Sequence, residues 1–260
     1  MIKTSHTREE LFSFFRRSPE TYLYLIGDLD DRFWGNCSWY SLVDTNGEMK
    51  AVALLFRLFD PPTFIAMTEG NDADMVVLIN SIARIIPSKL YAHLSPGIMD
   101  RLVCFKQEKH FGSYHRMMLK SPPVLFQDEN IRALTLDDIP IIEQLYTLAY
   151  PGNWFDKSML IKGHYLGYFD AGMLAGIAGT HIFSPEYGVS ALGNITTHPD
   201  YRGRGIGERL TSNLCHHLRE TTANIGLNVK VNNGAAIRTY EKVGFTVSMN
   251  YEECIVNVSA

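Results

Sequence analysis

The stretch Asn194-Ile195-Thr196-Thr197-His198-Pro199-Asp200-Tyr201-Arg202-Gly203-Arg204-Gly205-Ile206-Gly207 decides how the rest of the chain is read. Apolar and β-branched residues predict a strand over Val189–Thr197, stopped at Pro199. Glycines at 203, 205 and 207 carry no Cβ and let a ligand approach the backbone closely. Beyond them Ile206, Leu210, Leu214 and Leu218 recur every four residues, the spacing of one helix face. The free N–H groups of that helix's first turn, and its dipole, favour an anion. Arg202 and Arg204 add positive charge, so the mechanical reading is a cradle for a diphosphate. A P-loop needs Lys-Ser or Lys-Thr where Glu208-Arg209 stands, and a dinucleotide fingerprint needs GxGxxG rather than GxGxG. Taken alone, the segment is equally readable as a plain glycine-rich turn with two solvated arginines.

A second stretch, Leu227 to Phe245, breaks that tie. It alternates as a strand up to Val231, and Asn232 or Asn233 suits a helix N-cap. Ala236 and Tyr240 share a helix face, and Gly244 suits the C-terminal stop. Arg202-x-x-Gly205-x-Gly207, followed by Asn233-x-x-Ala236-x-x-x-Tyr240-x-x-x-Gly244-Phe245, resembles the GNAT superfamily of acyl-CoA-dependent N-acyltransferases. The resemblance covers roughly residues 130–256. The segment from Trp154 to Arg204 is similar to the glycine N-acyltransferase-like branch, in which a degenerate GNAT-like domain can precede the catalytic one.

The resemblance implies roles for named positions. Backbone groups of Ile195, Thr196 and Thr197 would pair with pantetheine amides, as a peptide adds to a strand edge. Amides of Arg202, Gly203, Arg204, Gly205, Ile206 and Gly207 would hold the pyrophosphate. Asn233 would touch the pantetheine arm, with Ala236 and Tyr240 lining the same helix face. Tyr240 would protonate the departing thiolate, a transfer between reference pKa values near 10 and 8.5. An amide near Thr197 would receive the oxyanion. A core tyrosine on an apolar helix face is the other reading of Tyr240. The implied co-substrate is acetyl-CoA or another short acyl-CoA, and the reaction is direct attack of an amine on the thioester.

The residues also show a departure. Many members of the superfamily carry a glutamate in the strand before the cradle, whereas Ser190-Ala191-Leu192-Gly193-Asn194 holds no carboxylate. Neutralising a lysine-type amine at pH 7 costs about 4 kcal/mol, and an α-amino group only about a third of that. A missing base therefore leans the acceptor towards a free amino acid or another low-pKa amine, unless Glu186, His181 or His198 serves. His181 on a half-buried strand reads first as a hydrogen-bonded core residue, and His198 as a turn residue. His216-His217 point apart on a helix and form no metal pair, so no metal is expected. Trp154, Phe155 and Tyr165 are core aromatics or the lining of an acceptor pocket. Asn194-Ile195-Thr196 matches a glycosylation sequon but falls in the expected cofactor strand.

Outward from these motifs, Ser121-Pro122-Pro123 is the best linker candidate. It predicts domains over 1–122 and 131–260, joined by 123–130. The two sides repeat one order of elements. Helical patterns near 7–16 and 20–29 lead to strands Trp39–Val43 and Ala51–Leu58 across an Asn46-Gly47 turn. Patterns near 136–149 and 155–161 lead likewise to Tyr165–Phe169 and Leu174–Phe183 across Ala171-Gly172. Strand Thr63–Thr68 and helix Ala73–Ile86 then parallel strand Val189–Thr197 and the Ile206 helix. A strand, short helix and final strand close each side, at Leu90–Leu94, about 97–104 and about 111–119, and at Ile225–Val231, about 233–243 and about 246–256. The fold expected is α/β (α+β): two tandem GNAT-like domains, each a mixed, mostly antiparallel sheet flanked by helices. In place of a cradle, the first side has Thr68-Glu69-Gly70-Asn71-Asp72-Ala73-Asp74, which would repel a diphosphate.

The whole chain of 260 residues has 24 basic and 28 acidic groups, a net charge of −4. Neither side of the linker has the basic surplus a nucleic-acid binder needs. With 46% apolar and 20% charged residues the chain is an ordinary globule, and no apolar run reaches a membrane span. The first ten residues lack a signal core, and four scattered cysteines read as reduced thiols, so a cytoplasmic place is expected. The expected function is an N-acyltransferase acting on a small-molecule amine. Transfer to a protein amine is the first rival, and a non-catalytic acyl-CoA sensor the second.

Overall fold

Helix starts in this chain are written locally. Thr7 Oγ1 accepts from the Glu10 N–H while the Glu10 carboxylate accepts from the Thr7 N–H, a reciprocal cap on the first helix. The computed structural model describes residues 1–70 and 72–259. In chain order the elements are β1 (Ile2–Lys3), α1 (Arg8–Phe15), α2 (Pro19–Gly27), α3 (Asp31–Trp34), β2 (Cys37–Val43), β3 (Met49–Phe56), β4 (Thr63–Ala66), α4 (Asp72–Ile82), β5 (Lys89–Leu94) and β6 (Phe105–Leu119). There follow β7 (Ile131–Ala133), α5 (Ile139–Ala149), α6 (Ser158–Lys162), β8 (Tyr165–Asp170), β9 (Met173–Ser184), β10 (Val189–Thr197), α7 (Ile206–Leu218), β11 (Asn224–Lys230), α8 (Gly234–Val243) and β12 (Phe245–Val258).

The chain divides into two units. The first comprises Met1–Arg116, Lys230–Asn232 and the residues from Ser248 on; the second comprises Met117–Val229 and Asn233–Val247. The expected cut at 122 puts all of β12 with the second half. Glu252–Asn257 pair antiparallel with Leu94–Lys89 of β5, so the end of the C-terminal strand belongs to the first unit. A β ladder recruits whichever strand satisfies its edge, and sequence distance does not restrict the choice.

In the first unit β2 and β3 form the hairpin expected at Asn46-Gly47, with Gly47 at φ 82. β4 and β5 run parallel across α4, whose Met75, Leu78, Ile79 and Ile82 pack in the cluster holding Leu90, Ala92 and Leu94. The helix expected near 97–104 is only a 3-10 turn at Met99–Arg101. Gly97 at φ 77 and the start of β6 at Phe105 leave no room for more. Asn71, in the acidic segment, lies outside the described residues.

The second unit repeats this order. β8 and β9 join through Ala171-Gly172, both at positive φ, and β10 runs parallel to β11 across α7. α7 buries Ile206, Leu210, Leu214 and Leu218, the four residues of its expected stripe, against Leu192, Ile225 and Leu227. Each such side chain contributes about 1.5–3 kcal/mol. The opposite face of the sheet is covered by α5, through Ile142, Leu145 and Tyr146 on Tyr165, Leu174 and Ile177. The helix expected at 155–161 shortens to α6, because Asn153 and Asp156 side chains accept from the Phe155 and Ser158 N–H groups in turns.

Arg132 grips Asp138 with two N–H···O bonds of 2.8 and 2.7 Å, and Asp138 also accepts from the Thr135 N–H at the start of α5. The Arg132 hydrogen bonds hold its carboxyl down at about 2, against burial. A depressed folded pKa stabilises above the unfolded value and is lost as pH falls through the folded one. Asp138→Asn should therefore cost about 1–2 kcal/mol at pH 7 by urea unfolding. The difference from the parent should shrink between about pH 4 and pH 2.

Candidate active site

Two slips in one strand pair build the site. Along β9 and β10 the partners run Ala191↔Ile182, then Leu192↔Thr180, so His181 is an extra residue in β9. They run next Gly193↔Gly179 and Thr196↔Ile177, so β10 also holds one extra residue. There Asn194 adopts φ 55, a left-handed conformation that asparagine tolerates better than most residues. Bulges bend a strand and re-aim its side chains.

The bend has a consequence on the other side of β10. Its parallel register with β11 runs from Val189↔Asn224 to Leu192↔Leu227 and ends there. Past the bulge β10 still faces β9, with Thr197 opposite Gly176 and the His198 N–H donating to the Ala175 carbonyl at 2.9 Å. On the β11 side, Ile195, Thr196 and Thr197 present an open strand edge.

Asn194 holds the bend in place. Its Nδ2 donates to the Tyr165 hydroxyl at 3.0 Å and lies 3.6 Å from Met159 Sδ. Its Oδ1 accepts from the Trp154 N–H at 3.2 Å, and its carbonyl accepts from the Tyr146 hydroxyl at 2.7 Å. Burial pushes both phenol pKa values well up, so both remain neutral O–H groups. Phe155 packs between those two rings, at 5.3 Å from Tyr146 and 5.7 Å from Tyr165. The sequon at Asn194 is thus closed to a glycan in the folded chain, since the residue is 3% exposed.

Of the three candidate bases, the structure brings only His181 to this bend. A Cβ on Gly193 would stand 2.3 Å from its ring, so the glycine makes room for the imidazole. Burial lowers the His181 pKa, partly opposed by a hydrogen bond with the Asn194 side chain. His198 instead caps the 3-10 turn Pro199–Tyr201, its Nδ1 accepting from the Asp200 N–H. Glu186 lies in the turn joining β9 to β10, eight residues before Asn194 and outside the strand that starts at Val189.

The cradle follows. Gly203 and Gly205 adopt φ 79 and 77, with open space where side chains would stand. Gly205 is the N-cap of α7 and no side chain caps the helix, so the first-turn N–H groups are available. Arg202 Nε donates to the Thr197 carbonyl at 3.3 Å, and Arg204 Nη2 to the Asp200 carbonyl at 3.0 Å over the Tyr201 ring. The Ile206 side chain is core, leaving its backbone as the part facing a ligand. A Cβ on Gly207 would meet Thr197 Oγ1 at 3.7 Å and Thr239 Cγ2 at 3.8 Å. The close approach puts the strand end, the cradle and α8 in one place.

On α8, Asn233 spends its Oδ1 on the Ala236 N–H at 3.2 Å, and Gly244 ends the helix at φ 108. Tyr240 is 9% exposed, its ring 6.1 Å from that of Phe245. Among the described residues no group of three His, Cys, Asp or Glu is placed to hold a metal. Sequence reasoning missed Asn194 and Tyr146 as the holders of the bend. An asparagine after a glycine, inside a β-branched run, is the signal that was available for a left-handed bulge.

Residues 131–245 match the acetyltransferase (GNAT) family. Ribosomal protein bS18-alanine N-acetyltransferase of Escherichia coli K12 is 30% identical over 129 residues, 46% of this chain and 85% of that enzyme. Mycothiol acetyltransferase of Mycobacterium sp. strain JLS is 37% identical over 101 residues, 36% of this chain. The chain spans only about a third of that protein's length, 32%. A solved acetyltransferase from the GNAT family of Novosphingobium aromaticivorans shares the fold at TM-score 0.63 and 19% identity, over 94% of this chain and all of that one.

Asn194→Gly and Asn194→Ala both delete the side-chain bonds of the bend, and only alanine is strained at φ 55. Each should lower stability by about 1–3 kcal/mol in urea, with alanine about 1 kcal/mol the worse.

Proposed function

Because the chain belongs to the acetyltransferase (GNAT) family, we propose that it transfers an acetyl or other short acyl group from acyl-CoA to the amine of a small molecule. The observation that carries this reading is an open β10 edge running into an uncapped α7 N-terminus. Ile195, Thr196 and Thr197 offer backbone donors and acceptors to the pantetheine amides. The amides from Arg202 to Gly207 face the pyrophosphate, with Arg202 and Arg204 adding charge. Bound acyl-CoA would supply an activated thioester; this chain positions it and handles the protons. The amide near Thr197 receives the oxyanion, and the Tyr240 hydroxyl gives its proton to the departing thiolate. Asn233 serves first as the α8 cap and only through its Nδ2 towards the pantetheine arm.

The small acceptor is supported by the close aromatic packing of Tyr146, Phe155 and Tyr165 behind the bend. The Trp154–Arg204 sequence supports a kinship with the glycine N-acyltransferase-like branch. A protein α-amino group is the second reading, supported by the match to most of the bS18-alanine enzyme. A non-catalytic acyl-CoA sensor is the third, supported by the lack of any carboxylate on β10 and β11. A cytoplasmic place belongs to the same proposal. Among the described residues no helix is long and apolar enough to cross a membrane.

The first unit, on this reading, is a diverged copy that holds no CoA. Its parallel pair β4 and β5 stays in register to Ala66↔Leu94. Ser95 then extends the pairing, its N–H donating to the Ala66 carbonyl at 3.2 Å and its Oγ accepting from the Thr68 N–H at 2.9 Å. No edge is left open there, and Glu69, Asp72 and Asp74 oppose an anion.

Calorimetry should find one acetyl-CoA equivalent per chain, and acetyl-CoA at about 100 times its Kd should add ~2.7 kcal/mol of stability. Two equivalents would overturn the assignment of the first unit, and none would overturn the whole reading. Tyr240→Phe should lower kcat by about 10²-fold or more with acetyl-CoA affinity within about twofold. A sensor has no turnover to lose.

A further inference from the structure

We propose that His181 is the proton acceptor for the attacking amine, held in place by the bulge it occupies and by Asn194. The proposal rests on the acyltransfer reading above and names the group that reading leaves open. Neither strand bordering the open edge offers a carboxylate: β10 reads VSALGNITT and β11 reads NIGLNVK. Glu186 and His198 are committed elsewhere by position and by hydrogen bonding.

Three observations converge on His181. It is the extra residue of the β9 bulge, so its side chain escapes the alternation that would otherwise set its direction. Its ring fills the space above Gly193, one residue before Asn194 and two before the open edge at Ile195. Its Nε2 is buried and has no hydrogen-bond partner among the described residues. A buried polar atom without a partner is costly unless a ligand or water completes it. The Asn194 side chain lies beside the imidazole and is itself held by Tyr165 and the Trp154 N–H. In the tautomer protonated at Nδ1, the unpartnered Nε2 carries the lone pair.

The ring covers Gly193, two residues before the open edge at Ile195, and a water between Nε2 and the amine would carry the proton. The titratable groups packed around the pair are Tyr165 from β8, Tyr146 from α5 and Asp156 from the loop before α6. The phenols are neutral, and the Asp156 carboxylate accepts from the Ser158 N–H. A buried imidazole in these surroundings stays neutral near pH 7 and is ready to accept.

The amine nitrogen bonds to the thioester carbonyl carbon and its excess proton passes through the water to His181 Nε2. The carbonyl re-forms as the C–S bond breaks, and Tyr240 gives its proton to the thiolate. Solvent then takes the proton from His181 and restores that of Tyr240.

The full chain is assayed for CoA release with acetyl-CoA and two amine probes, glycinamide and Nα-acetyl-lysine amide, across pH. The parent's kcat should fall at low pH along a limb below about 6.5 that is the same for both probes. His181→Gln and His181→Asn should lose that limb and about 10²–10⁴-fold in kcat, with acetyl-CoA affinity within twofold as the check on folding. Retention of the parent rate within threefold, or of the acid limb, overturns the proposal. If the parent releases no CoA with either probe, the catalytic reading fails for these acceptors, and the ring is judged directly. Nitrogen-15 NMR of His181 in the acetyl-CoA complex should show Nε2 unprotonated at pH 7.5. A proton on Nε2 there overturns the base role.

Discussion

A strand that leaves its neighbour exposes N–H and C=O groups that must find other partners. In the second unit that constraint is created at one residue. Asn194 takes a left-handed conformation, β10 gains a residue on β9, and pairing with β11 ends at Leu192. Every group of the Asn194 side chain and its carbonyl is then consumed in holding the bend. The cost of the left-handed backbone is offset by about four hydrogen bonds, each of order 1 kcal/mol net. What remains unsatisfied is the outer edge of Ile195–Thr197, which is the part a ligand can complete.

The same logic accounts for the cradle. A helix start normally recruits a Ser, Thr, Asp or Asn side chain to its orphan N–H groups. Among the described residues α1, α3 and α8 are capped in this way by Thr7, Asp30 and Asn233. α7 begins instead at Gly205, which has no side chain to offer. Its first-turn amides are left for an anion, while its apolar stripe is fully buried beneath. Stability and binding are thereby separated on one helix: Leu210, Leu214 and Leu218 anchor it, and Gly205 keeps its end open.

Within the first unit the corresponding chemistry is spent internally. Ser95 continues the β4–β5 pairing past the strand ends. Glu253 accepts from the hydroxyls of Tyr91 and Tyr251, and the fully buried Arg116 donates to the Thr21 carbonyl. A carboxylate and a guanidinium placed so deep are tolerated only with such partners. The β4–β5 end of this unit is thus closed where β10 and β11 part.

Local sequence determined the elements whose signal is short-range. The α7 stripe, the two hairpin turns, the Asn233 and Gly244 caps and the glycine cradle are all set by spacing or by residues that bear their own φ preference. The shortened helices at 97–104 and 155–161 were less legible, because a glycine turn and two side-chain turns compete with helix there and periodicity does not weigh them. Two matters were decided only by tertiary structure. Residues from Ser248 pair with β5, since ladder partners are chosen by unsatisfied edges across the fold. His181 reaches Asn194 because two bulges, thirteen residues apart in the chain, fall side by side in the sheet. A bulge is a property of a strand pair, and one strand's sequence does not contain its partner's register.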